Sequence, residues 1–311
     1  MAYQNVGTPR FYINTIEWLA SNGLMQIDDI FRTLPVDMSN STIFEEEDGF
    51  RTFSSKNFIA LLGHKIKSDD TYFSLADQLG NKIPLTDIIN LGTPVHENEY
   101  QPEYNGFTIA TFDSEFEGAT VSTANNTNIG SIILGTYYQM PHSPDLNLTM
   151  TRDYSGIRTI ETKGGASLSN SFYSKPPAWG SQGAWELGDG DPKLSRSGRR
   201  LWDLSFSYLD DGDVFGSNQY LRQDMWGEQT SPPYEEDDIA DDTYYEHNLL
   251  TDDNFYSQVI HKTNGGQLPF IFQPDVTDNT QFAICKFDSG FKFTQVANGV
   301  YNMKLKIREV W

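Results

Sequence analysis

The sequence predicts a mainly β protein: an antiparallel β-sandwich or jelly roll, followed by a second β-sandwich or split-barrel unit with one helix. Three observations predict it. Trp202, Leu204, Phe206 and Tyr208 alternate with Asp203, Ser205 and Ser207, the period-two pattern of a strand with one face in a core and one in water. Tyr301, Met303, Leu305 and Ile307 alternate in the same way with Asn302, Lys304, Lys306 and Arg308. Aromatic residues make up 14% of the chain, with 20 Phe and 16 Tyr, which favours strands and aromatic-rich contact surfaces over helices.

The elements fall in four stretches. Residues 1–45 read as a lead-in segment with one short helix, in which Asn14 is the cap, Glu17 completes a capping box and Asn22-Gly23 ends the last turn. Ile16 and Leu19 dock that helix on the next stretch of the chain. Residues 46–150 carry short strands broken by turn residues, the pattern of a jelly-roll-like sandwich. Its strands fall at 57–66, 71–75, 107–112 and 129–135. Residues 151–198, rich in Gly, Ser and Pro, read as a connector with hairpins, extended over 157–162 and turned by Lys163-Gly164-Gly165.

Residues 199–311 form a second β domain, with a short buried strand between Pro269 and Pro274. Its helix is expected over 251–262. Thr251 caps it, Asp252 and Asp253 complement the N-terminal end of the dipole, and Lys262 the other end. Phe255, Tyr256, Val259 and Ile260 form the apolar stripe, and Asn264-Gly265-Gly266 stops the helix. The segment 216–247, with Glu235, Glu236, Asp237, Asp238, Asp241 and Asp242 close together, reads as an acidic, solvated loop.

Charge narrows the function. Lys+Arg total 22 against 43 Asp+Glu, a formal net charge of −21. Direct nucleic-acid binding needs clustered Lys and Arg on phosphates, and an anionic membrane surface repels such a chain. A single cysteine, Cys285, rules out an intrachain disulfide, and its apolar run, residues 282–285, makes it a buried small hydrophobe. Met1 to Asn5 lacks the basic and apolar regions of a signal peptide. No run of about 18 apolar residues is present, so no membrane-spanning helix is expected.

Catalytic and metal motifs are missing. There is no His-Glu-x-x-His, no Gly-x-Ser-x-Gly elbow and no Gly-rich phosphate loop. His64, His96, His142, His247 and His261 are scattered without ligand spacing. Asp189-Gly190-Asp191 and Asp210-Asp211-Gly212-Asp213 fall short of a full calcium loop and read as acidic turns. No catalytic residue, metal or cofactor is expected. Four aromatics, Trp179, Trp185, Trp226 and Tyr234, lie in polar, loop-like segments. Large rings there serve as protein-interface anchors or as platforms for a sugar.

Several stretches resemble a known family. Gly7-Thr8-Pro9-Arg10-Phe11-Tyr12-Ile13, followed by Glu17-Trp18-Leu19, looks like the start of virion structural proteins of marine tailed phages. Ala60-Leu61-Leu62-Gly63-His64-Lys65-Ile66 resembles a strand of phage tail proteins carrying a galactose-binding-like jelly roll, with Lys65 where Asn is usual. Ile129-Gly130-Ser131-Ile132-Ile133-Leu134-Gly135 with Met140-Pro141 is similar to the strand and turn closing that domain. The second half, through residues 202–208, 265–274 and 305–310, is similar to distal-tail or baseplate hub proteins.

The resemblance implies a structural part of a phage tail (tip, hub or baseplate), made in the host cytoplasm and built into the virion. Its partners would be other tail proteins and copies of itself, in a trimeric or hexameric ring around the tail axis. The alternative is a carbohydrate-binding module for a host surface glycan, with Trp179 and Trp185 as contacts. A glycan-cleaving depolymerase is a third reading, without the long repetitive β-helix such enzymes often use.

Overall fold

The computed structural model describes residues 6–33, 44–45, 55–67, 70–114, 119–123, 129–145, 149–153, 158–170, 198–215, 249–250, 252–288 and 290–310. The fold is mainly β and antiparallel. The first half supplies β1 (Arg10–Asn14), β2 (Phe44–Glu45), β3 (Asn57–His64), β4 (Phe73–Asp77), β5 (Thr86–Ile89), β6 (Leu91–His96), β7 (Glu99–Pro102), β8 (Gly106–Phe112), β9 (Ala119–Thr123) and β10 (Ser131–Gln139). Then come β11 (Thr149–Asp153), β12 (Arg158–Glu161), β13 (Ser167–Asn170), β14 (Arg199–Asp210), β15 (Phe270–Gln273), β16 (Ala283–Phe287), β17 (Lys292–Ala297) and β18 (Val300–Glu309). Two short helices, α1 (Thr15–Ser21) and α2 (Asp211–Val214), complete the named elements.

One long sheet runs β11-β14-β18-β16-β15-β1-β10-β3-β8-β5, with β17 also paired to β18. Strands from both ends of the chain therefore share one hydrogen-bonded ladder, joined where β1 lies between β15 and β10. A second sheet runs β2-β9-β4-β7-β6, and β12 with β13 makes a separate hairpin.

The period of two decides which side chains meet. All eight residues of β3 are buried, because both faces of that strand are covered. Ile59 and Leu61 face a core shared with Phe73, Leu75 and Val121 of the second sheet, while Phe58, Ala60 and Leu62 face the other way, with Tyr12, Ile109 and Ile133. Trp202, Leu204 and Phe206 of β14 join Met303, Leu305 and Ile307 of β18, as the alternation predicts, in a core completed by Phe11, Phe255, Val259, Phe270 and Phe272. A buried ion pair seals the end of that core: Arg200 Nη2 donates to Glu309 Oε1 at 2.8 Å and to the Phe282 carbonyl at 2.6 Å.

Tyr208 departs from the expected alternation. The β14–β18 register shifts between Phe206 and Leu209, Tyr208 takes φ +60°, and its ring is 79% exposed. The bulge inserts an extra residue, so Leu209 takes the inward place.

Helix α1 forms where its capping residues place it. Asn14 Oδ1 accepts from Glu17 N at 3.1 Å, and Leu24 N closes the last turn on Leu19 O with Gly23 at φ +72°. The Glu17 carboxylate turns instead to Thr33, accepting from its N–H and its hydroxyl. The second helical segment differs from the expected 251–262. Thr251 lies outside the described residues, and Asn254 Oδ1 caps by accepting from Ser257 N. Residues Tyr256–Ile260 are a π-helix and His261–Thr263 a 3-10 turn, ended by Asn264 at φ +51°. Phe255, Val259 and Ile260 of the expected stripe are nonetheless buried.

Candidate functional site

Trp179, Trp185, Trp226 and Tyr234, the aromatics singled out by sequence, lie outside the described residues, as does the acidic loop 216–247. Two features of the described residues lack a purely structural account: a groove on the second sheet and the β12–β13 hairpin.

The groove grows out of strand alternation. Phe73 and Leu75 point into the core, so Ser74, itself buried, and Ala76 lie on the opposite face, and on β9 Val121 points inward while Thr120 and Ser122 share the face of Ser74 and Ala76. The register sets Ser74 opposite Ser122 and Ala76 opposite Thr120, giving a floor of small side chains. After β4 the chain turns back sharply. Asp77 Oδ1 accepts from Leu79 N at 2.9 Å and Asn81 N at 2.8 Å, and Asp77 Oδ2 from Asn81 Nδ2 at 3.0 Å. These bonds, the Asn81 side chain foremost, hold the Asp77 carboxyl below its ordinary value. The turn brings Lys82 back beside Ala76.

One wall is the ion pair of Lys82 with Glu99 on β7. Tyr72 stands at one end with its ring edge-on to His96, and Gln78 and Gly80 line the turn. The cavity is about 420 Å³. Glu99 is only 6% exposed; its Oε1 accepts from Lys82 Nζ, and its Oε2 is buried without a hydrogen-bond partner. A buried carboxylate oxygen left unpaired is costly.

The hairpin is held by Thr162. Its N–H donates to Ala166 O at 2.9 Å and its Oγ1 accepts from Ala166 N at 3.1 Å. Ile160 and Leu168 stand directly opposite each other across the two strands, 65% and 60% exposed.

Two further titratable groups, His64 and Cys285, belong to the core. His64 is buried with Nε2 2.9 Å from Thr108 Oγ1, and burial lowers its pKa to about 4. Burial raises the Cys285 thiol well above its ordinary value. The acidic turn at 210–213 is a helix start, with Asp210 and Asp213 in a capping box on α2, whereas Asp189 to Asp191 lie outside the described residues. Among the described residues no three His, Cys, Asp or Glu side chains cluster as metal ligands. No described helix is long and apolar enough to cross a membrane.

The groove escapes sequence reading because its parts are small. Ser74 and Ser122 become neighbours only through strand register, and Lys82 and Glu99 are 17 residues apart. Fold and site together define a β-sandwich-type protein with a polar groove and a separate two-stranded hairpin among the described residues. No family model, curated protein or solved structure matches the chain.

Proposed function

We propose that this chain is a structural component of a phage tail, at the tip, hub or baseplate, where copies assemble into a trimeric or hexameric ring. The particular family comes from the sequence resemblance. The observation that carries the assembly reading is the β12–β13 hairpin. A two-stranded hairpin alone is marginal in water, and this one pairs with no other strand among the described residues. It nevertheless sets Ile160 and Leu168 side by side in solvent. Covering both side chains in a neighbouring copy contributes about 2–4 kcal/mol per contact. A ring repeats a head-to-tail contact at every subunit, so the gain recurs around the axis.

Light scattering at several protein concentrations tests the reading, with Ile160→Ser/Leu168→Ser as the diagnostic variant. The expected outcome is a closed trimer or hexamer that the paired substitution reduces to monomer. Because both positions are exposed, the variant's folding stability should stay within about 0.5 kcal/mol of the parent. A monomer at every concentration overturns the ring, and an oligomer that survives the substitution removes the hairpin from its interface.

A further inference from the structure

We propose that Lys292 and Lys304, which stand directly opposite each other across β17 and β18, are the docking site for this chain's own acidic segment, residues 235–242. This goes beyond ring assembly and rests on a different surface from the hairpin. Both lysines are exposed, and neither has an ion-pair partner among the described residues. Like charges directly opposite each other on a sheet are destabilising, and β18 places Lys306 and Arg308 on the same face. Those two already have acids. Lys306 Nζ lies 3.4 Å from Asp288 Oδ2, and Arg308 Nη2 donates to Asp153 Oδ2 at 3.0 Å with its Nη1 3.7 Å from Asp288 Oδ1. Asp203 stands opposite Lys306, whereas the residue opposite Lys304 on β14 is Ser205. The lysine pair is therefore left without an anion, in a chain with 43 Asp+Glu against 22 Lys+Arg.

The path of the chain points to the occupant. Just before residue 216 the Phe215 ring packs 4.9 Å from Phe293 and 5.2 Å from Tyr301. Beyond residue 247 the Phe255 ring comes 6.4 Å from Phe291. Phe291 and Phe293 flank Lys292 in sequence, so both ends of the acidic segment are anchored at the strand that carries this lysine. From Phe215 to Glu235 the chain can reach up to about 66 Å, against about 10 Å along β18 from Tyr301 to Lys304. Glu235, Glu236, Asp237, Asp238, Asp241 and Asp242 supply the missing carboxylates. A single exposed ion pair is weak, but a tethered partner acts at an effective concentration of about millimolar. A polyanion arriving from solution, whether nucleic acid or an acidic protein, meets the repulsion of a chain of net charge −21. The chain's own segment is already part of that charge.

The test is zero-length carbodiimide coupling, which joins a lysine amine to a carboxylate in contact with it, applied to the 311-residue protein. Mass spectrometry of a mixture of isotopically labelled and unlabelled chains separates links within one chain from links between two. Lys292 and Lys304 are expected to couple to carboxylates of 235–242 within one chain, in preference to the exposed Lys65 and Lys163. The links should disappear at about 1 M sodium chloride, where the Debye length is about 3 Å. Lys304→Ser, an exposed change made at parental melting temperature, should lower the coupling left at Lys292 about threefold, because one of two exposed ion pairs is lost. No link from either lysine to 235–242, equal coupling at Lys65 or Lys163, or an unchanged yield at Lys292 in Lys304→Ser, each overturns the proposal. Links between chains only overturn it as well, and give the face to a second copy. Failure on any of these counts leaves the ring untouched, because the hairpin is a separate sheet read by light scattering.

Discussion

Lys262 Nζ donates to Gln258 Oε1 at 2.7 Å and lies 3.4 Å from Thr136 Oγ1, with its side chain wholly out of solvent. Burial lowers its pKa from 10.5 to about 7, against a smaller opposing pull from Asp253. Between those two values the unfolded chain holds a proton that the folded chain has released. Stability therefore rises with pH from about 7 toward 10, with a slope approaching about 1.4 kcal/mol per pH unit. Above that window the direction reverses, because burial raises the pKa of Tyr12, Tyr137 and Tyr138 and the unfolded chain ionises its tyrosines first. His64 acts on the acid side. Its folded value of about 4 lies below the ordinary 6.5, so the stability present above 6.5 is lost as pH falls toward 4. Urea unfolding across pH 4–10 should show both slopes; Lys262→Met should flatten the alkaline one and leave the acid one in place. An unchanged alkaline slope in that variant would remove Lys262 as its source.

At the scale of elements, the tightest join is where β1 passes into α1 beside β10. A Cβ on Gly135 would lie 1.9 Å from Ile13 O and 2.6 Å from Thr15 N, backbone atoms that cannot step aside singly. Gly135→Ala should destabilise the protein by about 3 kcal/mol, at the upper end of ordinary overpacking, read as a lower urea midpoint at unchanged slope. A loss under about 0.5 kcal/mol would mean that β1 and β10 are not held at this distance. The same strands show what a sequence exposes. The run of residues 57–62 announces a strand covered on both faces, and Leu204, Phe206, Met303 and Leu305 announce one-sided strands, because burial acts residue by residue along one strand. Tyr208 breaks its pattern because a bulge depends on the partner strand. The groove is hidden for the same reason: Ser74 meets Ser122, and Lys82 meets Glu99, only after pairing, and small hydroxyl residues on an outward strand face are the ordinary dress of a half-exposed sheet.

At the scale of the whole molecule, a chain of net charge −21 must bring like-charged copies together if it is to close a ring. Apolar contact through Ile160 and Leu168 is short-ranged, whereas repulsion between subunits acts over a Debye length, about 30 Å at 0.01 M salt and about 8 Å at 0.15 M. At low ionic strength the repulsion reaches across a whole interface; at physiological salt it is confined to groups nearly in contact. The assembled fraction should therefore rise steeply as salt is raised from about 0.01 M to 0.15 M. Beyond that range the curve should flatten, because the attraction left is hydrophobic and only weakly dependent on simple salt. Sedimentation velocity at fixed protein concentration and varied sodium chloride reads this directly. Assembly that weakens with added salt would show instead that opposite charges hold the subunits together, moving the interface away from the hairpin to the surfaces that carry Lys and Arg.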